Sequence, residues 1–393
     1  MHLSICKDIC VPDPIKVARY SHAPHLGPRI LFFSGGTALR AVSQRLIDFT
    51  HNSMHIITPF DSGGSSAVLR QAFSMPAVGD IRNRLMALAD QSIQGNPATY
   101  DLFAHRLPAR EKQARLQTRL QDMIDGRHEL MRAVPDPLQR IIRRHLLVFS
   151  RFMPQDFDLR GASIGNLILA AGYLENERDL DPVIFIYSKL AEVRGTVRAV
   201  VKGDFHLGAD LADGRRILGQ HRLTGKQTSA LTTPITSLFL TAGHKGDKGR
   251  RVQAEQKVQE DLYQAELICY PMGSFYTSLL ANLLPQGVSQ SIKKAECPKV
   301  FVPNTYADPE CVGMDLRGQV QTLLSTLEVP PGQAKEVLNF VLLDSRHSRY
   351  PGGGQVQELR SLGVEVITTD LVTPQSDPGV DPDRLVAVLL SLA

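Results

Sequence analysis

The stretch IITPFDSGGSSAVLR (56–70) sets an acid directly before a glycine- and serine-rich turn that opens a helix-like segment. Gly63 and Gly64 free the backbone to approach a phosphate ester, Ser65 and Ser66 add hydroxyls at a helix start, and Arg70 follows one and a half turns in. A carboxylate repels phosphate unless a divalent cation lies between them, or unless the reaction needs an acceptor for a hydroxyl proton. Asp61 is therefore the candidate catalytic residue and the candidate ligand of Mg²⁺. The bland alternative makes Asp61 the cap of a turn, but a cap does not need two glycines and two serines after it.

Further loops carry compatible residue types. FFSGGTALR (32–40) offers Ser34, Gly35, Gly36 and Thr37 before another helix, although it is neither a dinucleotide fingerprint nor a P-loop. AVGDIRNRLMALAD (77–90) places Asp80, Arg82, Asn83 and Arg84 at a helix start, where a solvated charged turn is the competing reading. GASIGNLILAAG (161–172) presents Asn166, as a cap or as a reader of base or ribose. CYPMGSFYTSLLANLLP (269–285) gathers Gly273, Ser274, Tyr276, Thr277 and Ser278, with Tyr276 placed to stack on a base. DSRHS (344–348) reads as a turn, since no GxSxG elbow accompanies it, and no HExxH or CxxC pair argues for zinc.

The elements that must position these loops follow from periodicity. RILFF (29–33) and MHIIT (54–58) are apolar runs, each broken by a glycine loop and followed by helical spacing, which argues for a parallel sheet with crossover helices. TVRAVV (196–201), AELICYP (265–271), KVFVP (299–303), NFVLLD (339–344) and VEVITT (364–369) read as further strands, and Asp213-Gly214 as a hairpin turn near LADGRRILG. The glycine breaks all fall at carboxyl ends of strands, where a doubly wound sheet gathers its ligands. Residues 95–160 read as a helical insertion. In it, Asp136 caps and Pro137 opens a helix that packs His145 on its apolar stripe and shows Arg140, Arg143, Arg144 and Arg151 on the other face. GHKGDKGRR (243–251) reads as a mobile surface loop, and the helix from Asp381-Pro382 carries a sticky face of Leu385, Val388, Leu389 and Leu392. The expected organisation is an N-terminal extension over 1–28 and one Rossmann-like α/β domain over 29–393.

Composition sets limits on function. With 393 residues, 43% hydrophobic and 21% charged, the chain can bury a large core. Its net charge of +4 is too mild to imply a nucleic-acid partner. No apolar run is long enough to span a bilayer and no signal-peptide core opens the chain, so a cytoplasmic location is expected. The odd count of five cysteines, at 6, 10, 269, 297 and 311, reads as reduced thiols.

In order, SGGTA, DSGGSSAVLR, GDIRNRL, IGNLILAA and MGSFYTSLLANLLP resemble the motif series of the 2-phospho-L-lactate transferase-like superfamily (CofD-like proteins, UPF0052). The gluconeogenesis-factor branch is the nearest likeness in motif wording, and FFSGGTALR and TPFDSGGSS with the helical block look most like the CofD-like member of the GAK gene system. The resemblance implies a Rossmann-like fold and a nucleotide diphosphate-linked ligand of GDP or UDP type. Transferase members move a phospholactyl group to a deazaflavin hydroxyl with Mg²⁺ and release GMP; gluconeogenesis-factor members bind UDP-sugars as regulators. On that likeness Ser34 to Thr37, Asp61 with Gly63 to Ser66, Asn166, and Gly273 to Ser278 match the ligand loops. The expected function is thus a Mg²⁺-dependent transferase of a phosphoester-linked group, with a non-catalytic nucleotide-sugar-binding regulator as the alternative. A docking protein belongs to that alternative, with the arginine face of 138–151 or the basic loop as its surface, and a homodimer is open. The chain departs from the family where two adjacent acids become Asp61-Ser62, which leaves one carboxylate for a metal.

Overall fold

The computed structural model describes residues 8–92, 95–225, 231–243, 249–330 and 332–393. Its centre is a seven-stranded, wholly parallel sheet. The sheet is built from β1 (Ile30–Ser34), β2 (Met54–Ile57), β3 (Thr196–Ala199), β7 (Leu267–Tyr270), β8 (Lys299–Phe301), β9 (Phe340–Asp344) and β10 (Glu365–Thr369). A separate antiparallel sheet, in the order β5-β4-β6, holds β4 (His206–Leu211), β5 (Arg216–Leu218) and β6 (Ile235–Thr241). The central strands β1, β2 and β7 are buried along their whole length because both faces are covered, whereas the edge strands β3 and β10 are partly exposed. In β1, Leu31 and Phe33 enter one core while Ile30 and Phe32 enter another on the opposite face.

The strand order β10-β9-β8-β7-β1-β2-β3 reverses direction between β1 and β7. From β1 the chain winds outward through β2 to β3, then returns beside β1 as β7 and winds the other way. Such a reversal splays apart the loops that leave the two central strands and opens a crevice at their carboxyl ends. The expected doubly wound α/β architecture is the one observed.

Residues 95–160 carry the helices Pro97–Ala104, Gln113–Ile124, Glu129–Ala133 and Leu138–Phe152. They pack with Ile164–Glu175 and Leu180–Leu190 into one apolar cluster against β2 and β3. His145 is packed there, its Nδ1 2.9 Å from Ile141 O. Pro137 stands one position earlier than expected, at the N-cap, and no side chain caps this helix. Asp136 pairs instead with Arg140 at 3.0 Å. The terminal helix Pro382–Leu392 spends its apolar face inside the chain: Leu385, Val388, Leu389 and Leu392 are buried with Val42 and Leu46 of Arg40–Leu46. Of the basic stretch 243–251, residues 244–248 lie outside the described residues, as does Cys6. Among the described residues the cysteines are free, and no helix is long and apolar enough to cross a membrane.

Candidate functional site

The crevice at the sheet's reversal is a cavity of about 550 Å³, within the range of small-molecule sites. Ser34 to Ala38 enter it after β1, Asp61 and Gly63 to Ser66 after β2, and Pro271 to Ser274 after β7. Asp80, Arg82, Asn83, Asn166 and Ser278 of the expected set line it as well. Loops that leave the two central strands touch: a Cβ at Gly35 would stand 2.8 Å from Ser278 Oγ. Asn282 ties the same two loops, donating from Nδ2 to Ser34 O and Ser278 O at 3.0 and 2.8 Å.

The second loop supplies free backbone donors. The helix Gly64–Phe73 has no side-chain cap, so its first N–H groups remain for a ligand. Gly64 has a φ of 48° and nothing within 4 Å of its missing Cβ. Asp61 does serve as a turn residue, for Gly63 N donates to its Oδ1 at 3.0 Å. Its Oδ2 takes no hydrogen bond from the described residues and points near Gly79. A Cβ at Gly79 would lie 3.5 Å from that oxygen and 2.5 Å from Ser66 Oγ. In the first loop the helix begins only at Arg40, three residues beyond Thr37. The loop backbone, with Gly36 at a φ of 39°, therefore faces the cavity without a helix end behind it.

One wall is cationic. Arg82 is buried, donates one hydrogen bond, from Nη2 to Asn83 Oδ1 at 2.6 Å, and has no carboxylate in ion-pair range among the described residues. Its Nε has no partner, and burial, reinforced by Arg106 and Arg40, lowers its pKa. Asn166, 1% exposed, donates to Ser65 Oγ at 3.2 Å while its Oδ1 is unsatisfied. Gly165 makes room for this wall, since a Cβ there would stand 2.6 Å from Tyr187 Oη and 2.9 Å from Arg82 Cδ. Beneath the first loop lies Arg84, fully buried, with its pKa lowered to about 10 by burial. It donates to Leu39 O at 3.1 Å, to Ser34 Oγ at 3.2 Å and to Ser43 Oγ, bracing the loop from below.

Four residues singled out in sequence do not line the cavity: Arg84, which lies beneath the first loop, and Arg70, Tyr276 and Thr277. Arg70 is buried and its guanidinium is spent on Asp204, at 2.5 Å, and on Phe60 O, Asp61 O and Phe205 O at 3.2, 3.2 and 2.7 Å. It holds the chain at Asp61 in place and has no donor left for a phosphate. Tyr276 is buried with its hydroxyl on Ile235 O at 3.3 Å, so it offers no stacking face. Thr277 donates to Glu310 from both N, at 2.9 Å, and Oγ1, at 2.6 Å. Most of the third loop's backbone donors are likewise occupied by the protein. Gly273 N binds Asn304 Oδ1 at 2.9 Å, Phe275 N binds Asp308 at 2.8 Å, and Tyr276 N binds Glu310 at 3.0 Å. Residues that sequence reasoning passed over thus shape this side: Asn304 and Asp308 line the cavity with Tyr306, and Glu310 stands behind them. The small sheet contributes another wall through Gln220, His221 and Thr224.

Among the described residues no three His, Cys, Asp or Glu side chains are grouped to enclose a metal. Mg²⁺ commonly takes one or two carboxylates and completes its shell with water and substrate phosphates. Asp61, with Oδ2 uncommitted, fits that pattern as a single protein ligand.

Fold and cavity together define a doubly wound α/β protein with a crevice at its topological switch point, lined by glycine loops. The chain belongs to the CofD family, matching the family described as "2-phospho-L-lactate transferase CofD" over residues 30–372. It is 27% identical over 369 residues to the "Gluconeogenesis factor" of Bacillus subtilis, covering 89% of this chain and 93% of that one. It is 30% identical over 286 residues to a "Putative gluconeogenesis factor" of Nostoc, covering 72% of this chain and 48% of that one, so the chain spans about half the length of the Nostoc protein. An X-ray structure from Bacillus halodurans superposes with a TM-score of 0.66 at 22% identity, covering 93% of this chain and 99% of that one. A second structure of that protein, described as a member of the UPF0052 family, gives the same TM-score at 23% identity.

Proposed function

We propose that the chain binds a nucleoside-diphosphate-linked ligand in the switch-point cavity and, with Mg²⁺ at Asp61, transfers the phosphoester-linked group from it. The observation that carries the reading is the buried Arg82 without an anionic partner, on the same wall as the orphaned Asn166 Oδ1. An uncompensated buried guanidinium is costly, and a diphosphate offers paired anionic oxygens that the planar guanidinium fork can bind in a bidentate way. Gly36 and the open N-terminus of Gly64–Phe73 supply backbone approach for the same phosphates.

In the transfer, the acceptor's hydroxyl oxygen bonds to the distal phosphorus while that phosphorus loses its bond to the bridging oxygen. The electron pair leaves on the nucleoside monophosphate, and the hydroxyl proton passes to Asp61 or to water. Asp61 would hold Mg²⁺, and the chemistry the ion would supply there is neutralisation of charge on the diphosphate. The residues themselves orient the diphosphate: Arg82 and the backbone of 64–66 hold it, and Asn166 fixes the neighbouring hydroxyl or base edge.

The regulator reading, binding without turnover, is favoured by a specific observation: Asp308 and Glu310 already occupy the donors of 275–277, which therefore cannot stabilise a transition state. A thermal-shift screen against GDP, UDP, UDP-sugars and ADP, with and without Mg²⁺, tests binding. A ligand at 100 times its Kd should contribute about 2.7 kcal/mol, and no shift with any nucleotide refutes the reading. Asp61→Asn should abolish the Mg²⁺-dependent part of the shift. Release of nucleoside monophosphate from the bound ligand supports transfer, and an intact ligand after long incubation supports the regulator.

A further inference from the structure

Ser62 is hydrogen-bonded to a histidine 159 positions away. Its Oγ lies 2.7 Å from His221 Nδ1 and also accepts the backbone N–H of His221 at 3.3 Å. His221 lines the cavity beside Gln220, which is buried and has an unsatisfied Oε1. Both are delivered by the turn after β5, anchored where Gly219 N donates to Leu207 O of β4 at 2.8 Å. Gly219 has a φ of 96° and sits so close to the pair that a Cβ there would stand 3.1 Å from His221 Cε1 and 3.3 Å from Ser62 Oγ.

Ser62 Oγ has two lone pairs and one proton, so it can accept from Nδ1–H or donate to Nδ1, and only the second arrangement uses its own proton within the described residues. With its Oγ accepting one N–H, Ser62 has a hydroxyl proton to give, and Nδ1 is the acceptor within 2.7 Å. A neutral imidazole that accepts at Nδ1 carries its proton on Nε2, and Nε2 has no partner among the described residues. We propose that Ser62 holds His221 as a fixed Nε2–H donor aimed at an anionic oxygen of the cavity's ligand, a phosphate oxygen of the diphosphate class. This rests on the reading that the cavity takes a phosphorylated ligand. An aspartate at 62 would accept from Nδ1–H and leave Nε2 as an acceptor, facing phosphate with a lone pair, whereas a donating serine gives the ring the opposite polarity.

The test uses the full chain, histidine-labelled with ¹⁵N, and inorganic pyrophosphate as the probe. Long-range ¹H–¹⁵N correlation, with His221 assigned by its loss in His221→Gln, should show Nε2 protonated and Nδ1 bare in the wild type. Ser62→Ala should mix the tautomers, and Ser62→Asp should move the proton to Nδ1. By calorimetry, His221→Ala should weaken pyrophosphate binding about tenfold, the size of a hydrogen bond to a charged group, and Ser62→Ala should weaken it by less. A wild-type ring protonated on Nδ1 overturns the proposal, as does wild-type affinity in His221→Ala or failure of pyrophosphate to bind the wild type. The spectra decide the ring's polarity even if a binding variant folds poorly. Pyrophosphate binding without any nucleotide response would sink the nucleotide reading and leave this one standing.

Discussion

Between pH 4.5 and 7 the fold should lose stability through one carboxyl, Glu310. Burial and the neighbouring Asp308 raise its pKa from 4.5 to about 7, against the opposing pull of the hydrogen bonds from Thr277 and Tyr276. In that window the native state keeps a proton that the unfolded chain has released, so stability falls as pH rises, by roughly 1.4 kcal/mol per unit. The total is about 3 kcal/mol, fully present below the unfolded pKa and fully lost above the folded one. Glu310→Gln isolates the effect, because an amide does not titrate. Its oxygen can accept from Tyr276 N and Thr277 N while its NH₂ donates to Thr277 Oγ1, which turns from donor to acceptor, so the variant should fold. Urea denaturation of both proteins at pH 5, 6, 7 and 8 should show the wild type losing about 3 kcal/mol relative to the variant. A gap that is constant with pH would refute the reasoning. A gap that grows in the wild type's favour would show that the three donated hydrogen bonds outweigh burial.

Two arginines should respond oppositely to removal. Arg82→Met should leave the ligand-free protein as stable as the wild type or more so, since it deletes an unpaired buried charge, and should abolish the nucleotide-induced rise in Tm. Arg70→Ala should cost about 3 kcal/mol in urea without any ligand, because it strands Asp204 and three backbone carbonyls. Gly165→Ala should cost about 1–3 kcal/mol from overpacking. The new methyl would press on Phe103 O at 2.8 Å and on Tyr187 Oη, and by displacing Arg82 should weaken nucleotide binding in the same titration.

The parallel strands were legible because burial on both faces writes them as apolar runs, and the glycine loops because backbone freedom is a local property. β6 was not legible: in ITSLFLT only Ile235, Leu240 and Thr241 are buried while Thr236 and Ser237 are exposed, and its strand partner is β4 of the small sheet, so it lacks the buried apolar run of the central strands. The harder failures share one cause. Arg70 and Arg82 both follow glycine-containing turns and look equally free in sequence, yet Asp204 lies 134 residues from Arg70 and claims it, while no described carboxylate claims Arg82. The donors of 275–277 resemble an anion site until Glu310, more than thirty residues later, fills it. A loop's capacity to bind phosphate is therefore written locally. Whether the protein has already spent that capacity on its own charges is decided by tertiary contacts, and only the three-dimensional structure separates Arg82 from Arg70, or Gly64 from Thr277.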